Sequence, residues 1–152
     1  DKIETARQFG EEQVQLWRRS YDVLPPLAEK DSQFDPKTDK KYQKINEELP
    51  LGESLEKVVE RVNSTFTILL DLAKTKQVLV VAHGNSIRAM VKMLDNLSNT
   101  EIVDVNIPTG IPLAYKISEN ENTRIGYLGD SDKVEQLQKE VELQSKVKED
   151  KG

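Results

Sequence analysis

Apolar positions along the chain follow three kinds of pattern. Between Glu53 and Lys74, Leu55, Val58, Val59, Val62, Phe66, Leu69 and Leu70 recur at the i, i+3, i+4, i+7 spacing of one buried stripe. That spacing predicts a helix, with Ser54 as its candidate cap. Gln77–Ala82 is instead a continuous β-branched run, the mark of a parallel strand buried on both faces. Ile87, Met90, Val91 and Leu94 return to helical spacing over Ile87–Leu97, which makes His83-Gly84-Asn85-Ser86 the turn of a β–turn–α unit. Ser98–Val103 reads as a further short helix, and Ile107-Pro108-Thr109-Gly110-Ile111-Pro112 as a rigid, turn-rich connector. Leu113–Ile117 and Arg124–Leu128 flank a Glu119-Asn120-Glu121-Asn122 turn and predict a hairpin.

The two ends have a different texture. Asp1-Lys2-Ile3-Glu4 has the spacing of a capping box, Gly10 punctuates the short helix it opens, and Glu11–Arg19 reads as a second helix. Ser20–Pro50 carries Pro25-Pro26, Pro36 and many charges without a clear period, and reads as a long loop or insertion. A loop of that length inside a compact domain is often functional, and the plain alternative is a surface excursion. Asp130–Gly152 is rich in charge, with Val134, Leu137, Val141 and Leu143 as a weak stripe; we read a solvated helix that frays into a mobile tail.

Composition then removes several classes. The 152 residues amount to one domain's worth of chain. A net charge of −5 argues against a nucleic-acid binder, which ordinarily shows a basic face. No cysteine is present, so disulfides and thiolate chemistry are excluded, and the apolar runs are too short to cross a bilayer. A single histidine leaves no second imidazole to share a metal ion, so no metal is expected. The chain opens on Asp1 and directly on a helix cap, and our expectation is that a segment upstream has been lost or cut.

Two clusters remain as candidate chemistry. His83 stands at the carboxyl end of the predicted strand, where open α/β sheets bind ligands. Gly84 lets backbone approach a ligand, and the helix that follows offers free N–H groups and a positive dipole end, which suits an anion. The plain alternative is a satisfied turn histidine. Lys2 heads the first helix and Arg18-Arg19 ends the second. The paired arginines read first as complements to the helix dipole, and alternatively as a bidentate clamp for carboxylate or phosphate.

Val78-Leu79-Val80-Val81-Ala82-His83-Gly84-Asn85-Ser86-Ile87-Arg88-Ala89 resembles the second signature of the cofactor-dependent phosphoglycerate mutases of the histidine phosphatase superfamily. Asn106-Ile107-Pro108-Thr109-Gly110-Ile111-Pro112-Leu113, Lys2-Ile3-Glu4-Thr5-Ala6, Gly10-Glu11-Glu12-Gln13-Val14, Trp17-Arg18-Arg19 and Glu48-Leu49-Pro50-Leu51 extend the resemblance over residues 1–130. It implies an α/β, three-layer sandwich with a mostly parallel sheet, here incomplete because the N-terminal strands are missing. The domain is then residues 1–130, with a long insertion over 20–50 and a charged helical tail over 131–152.

The reaction implied interconverts 3- and 2-phosphoglycerate through a phosphohistidine primed by 2,3-bisphosphoglycerate, without a metal. His83 matches the histidine that steadies the phosphoryl group in flight. Lys2, Arg18, Arg19, Gly84 and Asn85 match substrate-binding positions. The resemblance further implies a cytoplasmic protein with small-molecule phosphoglycerates as partners, no nucleic acid or membrane, and a homo-oligomer, dimer or tetramer, for the complete protein. The family's Arg-His-Gly nucleophile motif and its acid/base Glu are absent from this sequence. The chain alone is therefore expected to be inactive and only marginally stable. Two further readings stay open: a non-catalytic anion-binding module, and a superfamily phosphatase acting on small phosphoesters.

Overall fold

The computed structural model describes residues 2–143, with side chains from residue 4. In chain order the elements are α1 (Lys2–Phe9), α2 (Glu11–Arg19), a 3-10 turn at Pro36–Thr38, α3 (Leu55–Ala73), α4 (Gly84–Leu94), a second 3-10 turn at Glu101–Asp104, β1 (Leu113–Ile117), β2 (Asn122–Tyr127) and α5 (Ser131–Leu143). The class is α/β, helices with a small two-stranded antiparallel sheet.

The helical stripe read from α3 is the centre of the core. Leu55, Val58, Val62 and Phe66 are buried against Ala89 of α4 and Ile102 of the second 3-10 turn. Ala89 has no exposed surface at all, so α4 comes close to α3 where a larger side chain would hold it off. The Ser54 side chain accepts from the Lys57 N–H at 3.3 Å, satisfying one of the orphan donors of the first turn. Glu53, beside that cap, forms a two-point pair with Arg61 at 2.7 and 2.9 Å.

α1 and α2 break at Gly10, whose φ of 86° lies in the left-handed region that glycine enters without steric cost. The rings of Phe9 and Trp17 meet edge to face, 5.2 Å between centroids, and pin the pair together. Asp1 of the expected capping box lies outside the described residues. The 20–50 segment is irregular except for its 3-10 turn, but it has an internal anchor that sequence reading did not find. Asp35 is buried and accepts from the N–H groups of Asp31 (2.9 Å) and Lys37 (2.8 Å). Those two backbone bonds hold its carboxyl below the usual carboxylate range.

The structure departs from the sequence reading at Gln77–Ala82. This segment has no strand partner among the described residues, and Leu79 and Val81 are 82% and 87% exposed. A parallel strand is buried only when neighbours cover its edges and faces; here β1 and β2 pair with each other antiparallel, from Leu113↔Tyr127 to Ile117↔Asn122 with a one-residue register shift between Ala114 and Tyr115, and leave the run alone. Val81→Lys is accordingly expected to change the unfolding free energy by no more than about 0.5 kcal/mol. Urea titration of the two chains measures this; a loss of several kcal/mol means the strand is covered in solution.

Boundaries shift elsewhere by smaller amounts. α4 starts at Gly84 instead of Ile87, the helix expected over Ser98–Val103 is the 3-10 turn Glu101–Asp104, and the second hairpin strand begins at Asn122 instead of Arg124. α5 is the expected tail helix, seated by buried Val134, while Leu143 is exposed. Residues 144–152, where fraying was expected, lie outside the described residues.

Candidate anion site

His83 is the N-cap of α4. Its backbone is extended (φ −63°, ψ 148°), and its Nδ1 accepts from the Asn85 N–H at 3.2 Å. A ring nitrogen that accepts carries no proton, so the proton of the neutral ring sits on Nε2. The ring is exposed. A donor is thus held outward at the positive end of a helix, beside the amides of the first turn, which have no intrahelical partners. A Cβ built on Gly84 meets nothing within 4 Å, so the approach to those amides is open. The cap bond is that of the satisfied turn histidine of the plain reading, in a ring that stays exposed.

Arg18 and Arg19 close α2 and are both half-buried. Arg19 donates through Nη1 to the side-chain oxygen of Asn106. The Asn106 main-chain carbonyl in turn accepts from Tyr127 Oη at 3.3 Å and Gln138 Nε2 at 3.2 Å, so β2 and α5 both brace it. Burial lowers the pKa of both arginines. Arg18 is lowered further by Arg19, while Glu142 and Asp104 partly offset the shift at Arg19.

A third guanidinium completes the cluster. Arg88 is 7% exposed, in the apolar face of α4 between Ala89 and Val91. It donates through Nη2 to the Ile102 carbonyl at 2.7 Å, and through Nη1 to the Arg18 carbonyl at 3.4 Å and Asn85 Oδ1 at 3.5 Å. Its pKa is lowered to about 10, by burial first and then by Arg19 and Arg18. Arg18 Nη1, Arg19 Nη2 and Arg88 Nε are buried and have no hydrogen-bond partner among the described residues. Unpaired buried donors on mutually repelling cations are costly, and an anion is the partner that would relieve both costs.

The structure thus brings Arg18, Arg19 and Asn85 together through Arg88, with His83 and Gly84 on the same helix start as Asn85. The Lys2 side chain lies outside the described residues. Sequence reading missed Arg88 and Asn106. A signal for Arg88 existed: a charged residue one turn before the apolar Val91 of the same helix. Asn106 had no such signal, because its contacts come from residues 87, 21 and 32 positions away. Two surface hollows, one along α5 and one beside Leu24, Pro50 and Arg61, lie away from this cluster.

Two comparisons bear on this arrangement. The chain is 45% identical to the 2,3-bisphosphoglycerate-dependent phosphoglycerate mutase of Lachnoclostridium phytofermentans, over 97% of this chain and 61% of that protein. It therefore spans about three-fifths of that relative's length. Residues 24–123 match the histidine phosphatase superfamily (branch 1), a span that holds His83, Asn85, Arg88 and the whole α3–α4 core. The fold's packed centre and its exposed capping histidine both fall inside that match, and the chain belongs to the histidine phosphatase superfamily.

Proposed function

We propose that this chain is the substrate-gripping portion of a phosphoglycerate mutase, the enzyme that interconverts 3- and 2-phosphoglycerate. The observation that carries the reading is the set of unpaired guanidinium donors on Arg18, Arg19 and Arg88 beside the α4 N-terminus. Three guanidiniums and a helix N-terminus all suit one kind of ligand, a small polyanion. The mutase match extends over nearly the whole chain, α1 and α2 included, whereas the superfamily match begins at residue 24. This supports a mutase over a generic phosphatase, because the Trp17-Arg18-Arg19 segment lies before that residue.

In this reading the residues divide the ligand between them. Arg18 and Arg19 hold the carboxylate or far phosphate of the substrate, with Lys2 as a further cation at the head of α1. Asn85 and the amide of Gly84 meet the near phosphate. His83 offers its Nε2 proton to a phosphoryl oxygen on which charge builds during transfer. The same unpaired donors suit 2,3-bisphosphoglycerate, with Arg18, Arg19 and Asn85 as the residues that would hold it. When bound, that molecule supplies the priming phosphoryl group. In the same reading, the complete protein is a cytoplasmic homo-oligomer, and there, unlike in this chain by itself, Gln77–Ala82 is an inner strand of a three-layer sandwich with a mostly parallel sheet.

One observation favours a narrower reading. His83 is the one histidine of the sequence, and one imidazole cannot both carry and steady the same phosphoryl group. The 152-residue chain by itself is therefore expected to bind phosphoglycerate without converting it. Calorimetric titration with 3-phosphoglycerate, followed by product analysis, tests both parts. Binding with no 2-phosphoglycerate formed is the expected result. Absence of binding overturns the grip, and released inorganic phosphate points to a phosphatase.

A further inference from the structure

Arg88 is the least expected residue of the cluster. It is nine-tenths buried on α4, outside the set of α4 side chains that pack on the α3 core, and no carboxylate pairs with it among the described residues. If that position served packing alone, an apolar side chain of similar volume would fill it at lower cost. What an apolar side chain cannot do is donate in three directions. The Nη2 bond to Ile102 is short and fixes the guanidinium plane against the second 3-10 turn. The two Nη1 contacts, at 3.4 and 3.5 Å, reach the carbonyl of Arg18 and the side-chain oxygen of Asn85. The Arg18 carbonyl is among the last of α2, which have no intrahelical partner, so a cation there also complements the helix dipole.

We infer that Arg88 is the positioning residue of the anion site: one guanidinium ties the C-terminal turn of α2 to the N-terminal turn of α4, so that Arg18-Arg19 and His83-Gly84-Asn85 address the same ligand. This rests on the grip proposed above. α2 and α4 are distant in sequence, and the bridge spans 70 residues of chain between Arg18 and Arg88. By occupying Asn85 Oδ1, the bridge also orients the side-chain amide, leaving its NH2 group to meet an anion. The bound anion in turn eases the repulsion among the three cations, so ligand and bridge stabilise each other.

The test compares the full chain with Arg88→Lys and Arg88→Met, using inorganic phosphate as the probe. Calorimetry reads affinity, thermal melting reads the fold, and NMR follows the phosphate-induced shift of the Asn85 side-chain amide. Lysine keeps the charge and a donor for Ile102 but lacks the planar fork. Arg88→Lys is expected to melt close to the parent, bind phosphate about tenfold more weakly and lose most of the Asn85 shift. Arg88→Met is expected to bind more weakly still; should it fail to fold, Arg88→Lys decides alone. Parent-like affinity and an intact Asn85 shift in Arg88→Lys overturn the bridge while leaving the grip standing. Affinity that falls only in proportion to melting temperature overturns it as well. A parent chain that does not bind phosphate removes the grip and the bridge together.

Discussion

Replacing Arg18 and Arg19 together by glutamine is expected to weaken phosphate and 3-phosphoglycerate binding by at least a hundredfold, with little loss of stability. The binding side follows from two charge-assisted contacts at about 1.5–3 kcal/mol each, or about two to four powers of ten in affinity. The stability side is less obvious and more diagnostic. Both guanidiniums are half-buried and each has a buried donor without a partner among the described residues. Burial lowers the pKa of Arg88 to about 10, and the charges of Arg19 and Arg18 add to that lowering. The sign is clear: a cation whose folded pKa lies below its unfolded value destabilises the fold at every pH below that folded pKa. Removing Arg18 and Arg19 relieves part of that cost, and glutamine keeps much of the packed stem. The lost Arg19–Asn106 hydrogen bond works the other way. Calorimetry with phosphate and a melt near neutral pH measure both sides. A variant that loses binding and stability in equal measure means the arginines are structural supports and not a grip.

Phe66→Ala is expected to cost about 3–5 kcal/mol, the range for emptying a buried aromatic position. Phe66 is 7% exposed in the cluster formed by Leu55, Val58, Val62, Ala89 and Ile102. Against a total domain stability of about 5–15 kcal/mol, that loss brings a small core near its limit. The same substitution also loosens the seat of α4, the helix that carries His83, Asn85 and Arg88. Because phosphate binds the folded chain, phosphate at about a hundred times its dissociation constant is expected to restore about 2.7 kcal/mol. Urea unfolding with and without phosphate measures both. Recovery absent from Phe66→Ala but present in the parent means the site is lost with the core, and a cost below about 1 kcal/mol means the cluster is not the centre of stability.

The local signals in the chain were legible without coordinates. The helical period of α3, the Ser54 cap and the break at Gly10 each rest on interactions within a few residues, and each stands in the structure, with Leu55, Val58, Val62 and Phe66 the buried members of the stripe. The paired arginines and the His83 turn were visible as residue types suited to an anion. Two structural details were not visible in the same way. Asn106 is anchored by partners 21 to 87 residues distant, and periodicity carries no information about such pairs. Asp35 organises its loop by accepting two backbone N–H groups, and many loops contain an Asp that never forms such a pair of bonds.

Gln77–Ala82 shows the division most sharply. Its sequence determined an extended, apolar segment that delivers His83 to a helix start, because backbone preference and side-chain type are properties of the residues themselves. Whether that segment is a strand was decided only in three dimensions, since a strand exists through its neighbours, and here β1 and β2 turn to each other. The site divides in the same way. Sequence determined that cations, a glycine and an imidazole were available near two helix ends. Tertiary structure decided that α2 meets α4 through Arg88, because Tyr21, just past α2, and Ala89 of α4 both pack on the α3 core, and the carbonyl at residue 18 comes within reach of the guanidinium at residue 88.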